Sequence, residues 1–68
     1  MKISARNQLK GTIVALVKGQ VLTKVAIDIG GQTVTAAILN DSAEELGLKV
    51  GSPATAIIKA TEVLVAVD

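Results

Sequence analysis

The chain has 68 residues, 50% of them hydrophobic, a net charge of +1, and no cysteine, histidine or aromatic residue. That length allows one domain, and a domain so short buries only about 60% of the surface its unfolded chain exposes. The composition excludes disulfides, thiolate metal sites and histidine chemistry, and the near-neutral charge argues against a nucleic-acid binder. Self-association is the compensation left open for a small core built from Val, Ile, Leu and Ala. The uninterrupted apolar run at residues 13–17 is far short of the roughly 20 residues that cross a bilayer. No signal-peptide hydrophobic core follows Lys2, so the expectation is a soluble, cytoplasmic protein with no membrane partner.

The polar stretch Ser4-Ala5-Arg6-Asn7-Gln8 comes first, with a hydroxyl, the sole arginine of the chain, two carboxamides and no acid. Each of those polar side chains can donate a hydrogen bond, which suits an anion. A polar lead into a strand is the other reading, and the residues alone leave both open. Residues 9–18 read as a strand, because Gly11, Thr12, Ile13 and Val14 favour extended backbone over the helix that periodicity also permits. Apolar residues at both parities (Ile13, Val14, Leu16, Val17) predict burial on two faces.

Residues 20–29 alternate most clearly. Val21, Thr23, Val25, Ile27 and Ile29 share one face, and Gln20, Lys24 and Asp28 the other, with Leu22 and Ala26 between them. Gly30-Gly31 then supplies the two positive-φ positions of a type I′ hairpin turn. Residues 32–39 form the return strand, with Thr33 and Thr35 on one parity and Val34, Ala36 and Ile38 on the other. Asn40 or Asp41 reads as the N-cap of a short helix over residues 42–46, with Ser42 and Glu45 spaced as a capping box and Gly47 as its stop. Asp41, Glu44 and Glu45 invite a metal reading, but acids in a first helical turn are ordinary capping. Residues 49–53 are a turn, residues 54–58 a fourth strand and residues 63–67 a fifth. The polar island Lys59-Ala60-Thr61-Glu62 between the last two predicts a bulge or bend. The expected architecture is all-β: a small five-stranded OB-like Greek-key barrel, residues 1–68, with one short helix between strands 3 and 4.

Catalysis is not expected. Ser4, Ser42 and Ser52 have no histidine to activate them, and Gly30-Gly31 lacks the Lys-Ser/Thr of a phosphate loop. OB-type barrels bind single strands through aromatic platforms in basic grooves, and this chain has neither. Anion binding remains. Arg6 and Lys59 would supply two positive charges, Ser4 a hydroxyl, and backbone N–H groups the rest of a shell. Ser4 and Arg6 share a face of an extended segment. Spacing does not place Lys59 beside them, and a charge interrupting an aliphatic strand also guards against aggregation.

The opening run Met1-Lys2-Ile3-Ser4-Ala5-Arg6-Asn7-Gln8-Leu9-Lys10-Gly11 resembles that of the molbindin (Mop) family of small molybdate-binding proteins built from one TOBE-type domain. So do Val34-Thr35-Ala36-Ala37-Ile38, the helix around Ser42-Ala43-Glu44-Glu45-Leu46, and Lys59-Ala60-Thr61-Glu62-Val63. The resemblance implies an OB-like barrel assembled as a homohexamer, a trimer of dimers, binding molybdate or tungstate at subunit interfaces for intracellular storage or homeostasis. It implies oxyanion contacts from Ser4, the Ala5 N–H, Arg6, the Thr35 hydroxyl, Lys59 and the Ala60 N–H, with no metal ligands of the protein's own and no cofactor beyond the oxyanion. Some relatives carry Ser where this chain has Ala60, so only a backbone donor transfers there. Two other classes of function stay open: an oxyanion-sensing regulatory or accessory module acting through a protein partner, and a nucleic-acid-binding barrel. The absence of a DNA-binding or ATPase segment before Asp68 favours a free-standing protein.

Overall fold

The alternation at residues 20–29 forms one of the two central strands of a single antiparallel sheet. The computed structural model describes residues 1–68, as β1 (Asn7–Lys18), β2 (Leu22–Asp28), β3 (Thr33–Leu39), α1 (Asn40–Glu45) and β4 (Pro53–Ile58), with a one-turn 3-10 segment at Ala60–Glu62. The sheet has four strands in the order β3-β2-β1-β4. β1 is long because it serves two neighbours in turn: residues 7–12 pair with β4, and residues 12–18 with β2.

The apolar residues at both parities of β1 have a different cause from burial on two faces. The β1–β2 register slips between Ile13 and Ala15, leaving Val14 without a partner. That bulge reverses the parity of the strand. Leu9, Gly11 and Ile13 face inward before it and Leu16 after it, while Val14 and Val17 are exposed. Ile13 thus opposes Ile27, and Leu16 opposes Val25. Ile13, Val25, Ile27 and Ala56 make the small buried core. Gly11 lets β1 lie tight against β2: a Cβ there would collide with the Asp28 carbonyl oxygen and meet Ile27 Cγ2 at 2.8 Å.

The hairpin joining β2 to β3 turns at Gly30 and Gly31, both at positive φ (108° and 93°), as a type I′ turn requires. Asp28 Oδ1 accepts from both glycine N–H groups, at 3.3 and 3.0 Å. The helix starts earlier than the capping box predicts. Its N-cap position is Leu39, with no side-chain cap. Asn40 is drawn elsewhere: its Oδ1 accepts from the buried Thr23 hydroxyl at 2.7 Å, and its Nδ2 donates to the Gly19 carbonyl at 3.1 Å. The helix stops as expected. Gly47 donates to Glu44 O at 3.0 Å and Leu48 to Ala43 O at 3.3 Å, the paired bonds of a Schellman motif.

The fifth strand is the principal departure. Residues 63–68 form no strand, so the sheet has four strands rather than five and does not close into a barrel within one chain. The 3-10 turn, with Glu62 N–H on Lys59 O at 2.9 Å, replaces the expected bulge and carries the backbone away from β4. An extended segment becomes a strand only when an edge accepts its hydrogen bonds, and this one meets none. Only five of 68 residues are buried, so the single chain leaves most of its apolar side chains partly or wholly in contact with water.

Candidate oxyanion site

The antiparallel pairing of β1 with β4 decides where the polar ends of the chain lie. Asn7 pairs with Ile58 in the last rung, so Arg6, the residue before Asn7, and Lys59, the residue after Ile58, both lie at this end of the sheet. The pairing of strands β1 and β4 that puts them at one end carries no local signal by which sequence reasoning could have found it.

Asn7 and Gln8 hold this end of the sheet. Asn7 Nδ2 donates to the Ile58 carbonyl at 3.2 Å, across the rung, and Gln8 Nε2 reaches back to the Ala5 carbonyl at 2.9 Å. The Gln8 bond folds the Ser4-Ala5-Arg6 segment against its own strand. Ser4, Arg6, Lys59 and Ala60 are exposed and Ala5 is half-buried.

The charges at this end are uncompensated. The one ion pair of the chain is Lys18–Glu44 at 3.5 Å, on a different face and largely exposed; pairs of that kind contribute about 0–1 kcal/mol. Neither Arg6 nor Lys59 has an acidic partner, Glu62 included. The Ser4 hydroxyl and the backbone N–H groups of Ser4, Ala5, Arg6 and Lys59 have no intramolecular acceptor. Cations at one end of a sheet, among unpartnered donors and with no acid to pair them, suit an anion.

Thr35 is not part of this cluster. It lies on β3, paired with Ala26, on the far side of the sheet from β4. It lines instead a groove of about 710 Å³ whose walls are β3 and β4 and whose floor includes Ile13, Val25 and Ile27. The acids of α1 form no metal centre, since no group of three or more His, Cys, Asp or Glu side chains converges anywhere in the structure. No helix is long and apolar enough to cross a membrane.

The TOBE domain family matches residues 3–65. A probable molybdenum-pterin-binding protein of Haemophilus influenzae is 54% identical over 69 residues, covering 100% of both chains. This chain belongs to the Mop family. Its fold is that of solved Mop structures: MopII from Clostridium pasteurianum superposes with a TM-score of 0.92 at 49% identity, covering 97% of this chain and 100% of that one. A molybdate-binding protein from Sporomusa ovata also gives 0.92, at 45% identity, over 97% of this chain and 98% of the other. A Mop chain of this kind is a single TOBE domain, and the four-stranded curled sheet with one short helix is its framework here.

Proposed function

We propose that this Mop chain binds molybdate, with tungstate as a close mimic, and serves intracellular molybdenum storage as a binding protein rather than an enzyme. The observation that carries the reading is that Arg6 and Lys59 flank the paired Asn7 and Ile58 at one end of the sheet, with no acid to neutralise either. Two positive charges match a dianion. The Ser4 hydroxyl and the N–H groups of Ala5 and Ala60 complete a shell of donors. Arg6 can present two parallel N–H groups to two oxygens of a tetrahedron, and charge-assisted bonds of that geometry are the strong ones. The relatives support the ligand: their names record molybdenum-pterin and molybdate binding.

The shell explains selection by charge state. It has no carboxylate to accept a proton from the ligand, so an oxyanion that keeps a proton at neutral pH leaves its O–H unsatisfied. Molybdate is fully deprotonated there and hydrogen phosphate is not. Charge state alone does not exclude sulfate, which is also fully deprotonated.

The cluster is half of a shell, open to solvent on one side. The reading assigns the other half to a second copy, which brings its Thr35 hydroxyl, within the homohexamer that the family resemblance implies. A cytoplasmic location accords with this role. Titration calorimetry with molybdate, tungstate, sulfate and phosphate tests the proposal. Strong binding of the first two alone is the expected result; no heat with molybdate, or equal affinity for sulfate, overturns it.

A further inference from the structure

Gln8 is the one side chain that bonds to the Ser4-Ala5-Arg6 segment. Its Nε2 donates to the Ala5 carbonyl at 2.9 Å. Of the carbonyls of Ser4, Ala5 and Arg6, that one alone has an intramolecular donor. The Ala5 carbonyl and the Arg6 N–H belong to a single peptide unit, and in a planar trans peptide the two point in opposite directions. Holding the carbonyl toward Gln8 therefore aims the Arg6 N–H away from it, and that N–H has no acceptor in the chain.

The opposite strand end is built in the same sense. Asn7 Nδ2 donates to the Ile58 carbonyl at 3.2 Å, and the N–H of that peptide unit is the unpartnered N–H of Lys59. The Lys59 and Ala60 carbonyls accept from the N–H groups of Glu62 and Val63, at 2.9 and 3.4 Å. Carbonyls beside the two cations are thus engaged while the N–H groups are left free. The two ends differ in one respect. Ile58 is already paired in the ladder, so its peptide is held from two sides. The backbone bends at Ser4 and Arg6 before β1 begins at Asn7, so the Ala5–Arg6 peptide depends on Gln8 alone.

We propose that Gln8 is a selectivity-determining residue of the oxyanion site: by tying down the Ala5 carbonyl it keeps an N–H, and not a C=O, turned toward the ligand. The inference rests on the molybdate reading above and deepens it. Without the Gln8 bond this peptide, flanked by the exposed Ser4 and Arg6, is free to turn over. A donor is then exchanged for an acceptor. A carbonyl oxygen repels the bare oxygens of molybdate but accepts the O–H of hydrogen phosphate. Gln8 acts through the peptide and need not touch the ligand, so it is a positioning residue.

Gln8→Met keeps the length of the side chain and removes the donor. Titration calorimetry on the full chain, with sodium molybdate alone and in competition with sodium phosphate at neutral pH, tests it. The wild-type chain is titrated first; no molybdate heat there refutes the molybdate reading, and the inference falls with it. Where the wild type binds, the variant is expected to bind molybdate roughly tenfold more weakly, the scale of one hydrogen bond. Its preference for molybdate over phosphate should narrow by at least about the same factor, because phosphate does not weaken in step. A purely structural role weakens both ligands equally and leaves the ratio unchanged. That outcome, or an unchanged molybdate affinity, overturns the proposal while the molybdate reading stands. A second measurement needs no variant. In the wild-type chain the Arg6 backbone amide proton should move downfield in the nuclear magnetic resonance spectrum as molybdate saturates the site; an unmoved Arg6 amide overturns the proposal as well.

Discussion

Asn7 and Ile58 close the β1–β4 ladder twice, once as the last rung of the register and once through the Asn7 side chain, whose Nδ2 donates to the Ile58 carbonyl at 3.2 Å. The second bond lies immediately before Arg6 on one strand and Lys59 on the other, and it ties together the two strand ends that carry these cations.

Asn7→Ala is therefore expected to lower molybdate affinity severalfold while costing only about 1 kcal/mol of stability, the usual net worth of such a hydrogen bond. Calorimetric titration and urea unfolding on the same variant separate the two effects. Unchanged affinity would remove the positioning role from Asn7.

Arg6→Ala removes a charge-assisted contact worth roughly 1.5–3 kcal/mol, so molybdate affinity should fall roughly 10- to 150-fold. Arg6→Lys keeps the charge but loses the planar fork, and its affinity should lie between the two. The fold should persist in both, since Arg6 is exposed and unpaired. Circular dichroism and titration check this. Equal loss in Lys and Ala variants would assign the whole effect to bidentate geometry, and no loss in either would displace Arg6 from the shell.

Gly11→Ala tests how tightly β1 packs on β2. The added methyl meets the Asp28 carbonyl, which is backbone and cannot swing aside. A cost of about 1–3 kcal/mol is expected from overpacking, seen as a lowered thermal midpoint. The same substitution at Gly19, whose nearest atom is the Leu22 carbonyl oxygen at 3.0 Å, should cost less.

Thr23→Val keeps the volume and removes the hydroxyl that donates to Asn40 Oδ1 at 2.7 Å. Thr23 is 5% exposed, and the loss strands a partly buried acceptor at the joint between α1 and the sheet. About 1–3 kcal/mol is expected, measured by urea unfolding. Glu44→Gln is the contrasting case, since breaking the exposed pair with Lys18 should shift stability by less than about 0.5 kcal/mol.

The strands were legible where alternation is a local property. Val25 and Ile27 inward, Lys24 outward and the Gly30-Gly31 turn all follow from period two and from glycine's access to positive φ. The bulge at Val14 was not, because a shift in parity looks the same in sequence as burial on both faces. The helix start was misread because Asn40 can cap a helix or bond to Thr23, and only the tertiary position of Thr23 decides between them. Residues 63–67 have the pattern of a strand but no partner in their own chain, and pairing is not a property of the segment itself. At the candidate site, the donor chemistry of Ser4, Arg6 and Lys59 could be read from residue type. That they lie at one end of the sheet could not, since it depends on the register of two strands from opposite ends of the chain.

The bulge at Val14 also fixes the handedness of everything upstream of it. Residues 7–13 alternate with odd numbers toward the core and even numbers toward water. Val14 is the residue that β1 leaves unpaired, so a chain without it would run Ile13↔Ile27 and Ala15↔Ala26 in one continuous register with every side chain on its present face. Drawing Val14 into the ladder opposite Ile27 would instead turn each residue upstream to the other face, with Lys10 toward the core and Leu9 toward water. One unpaired residue, well removed from any ligand, thus works as the phase setting of the strand.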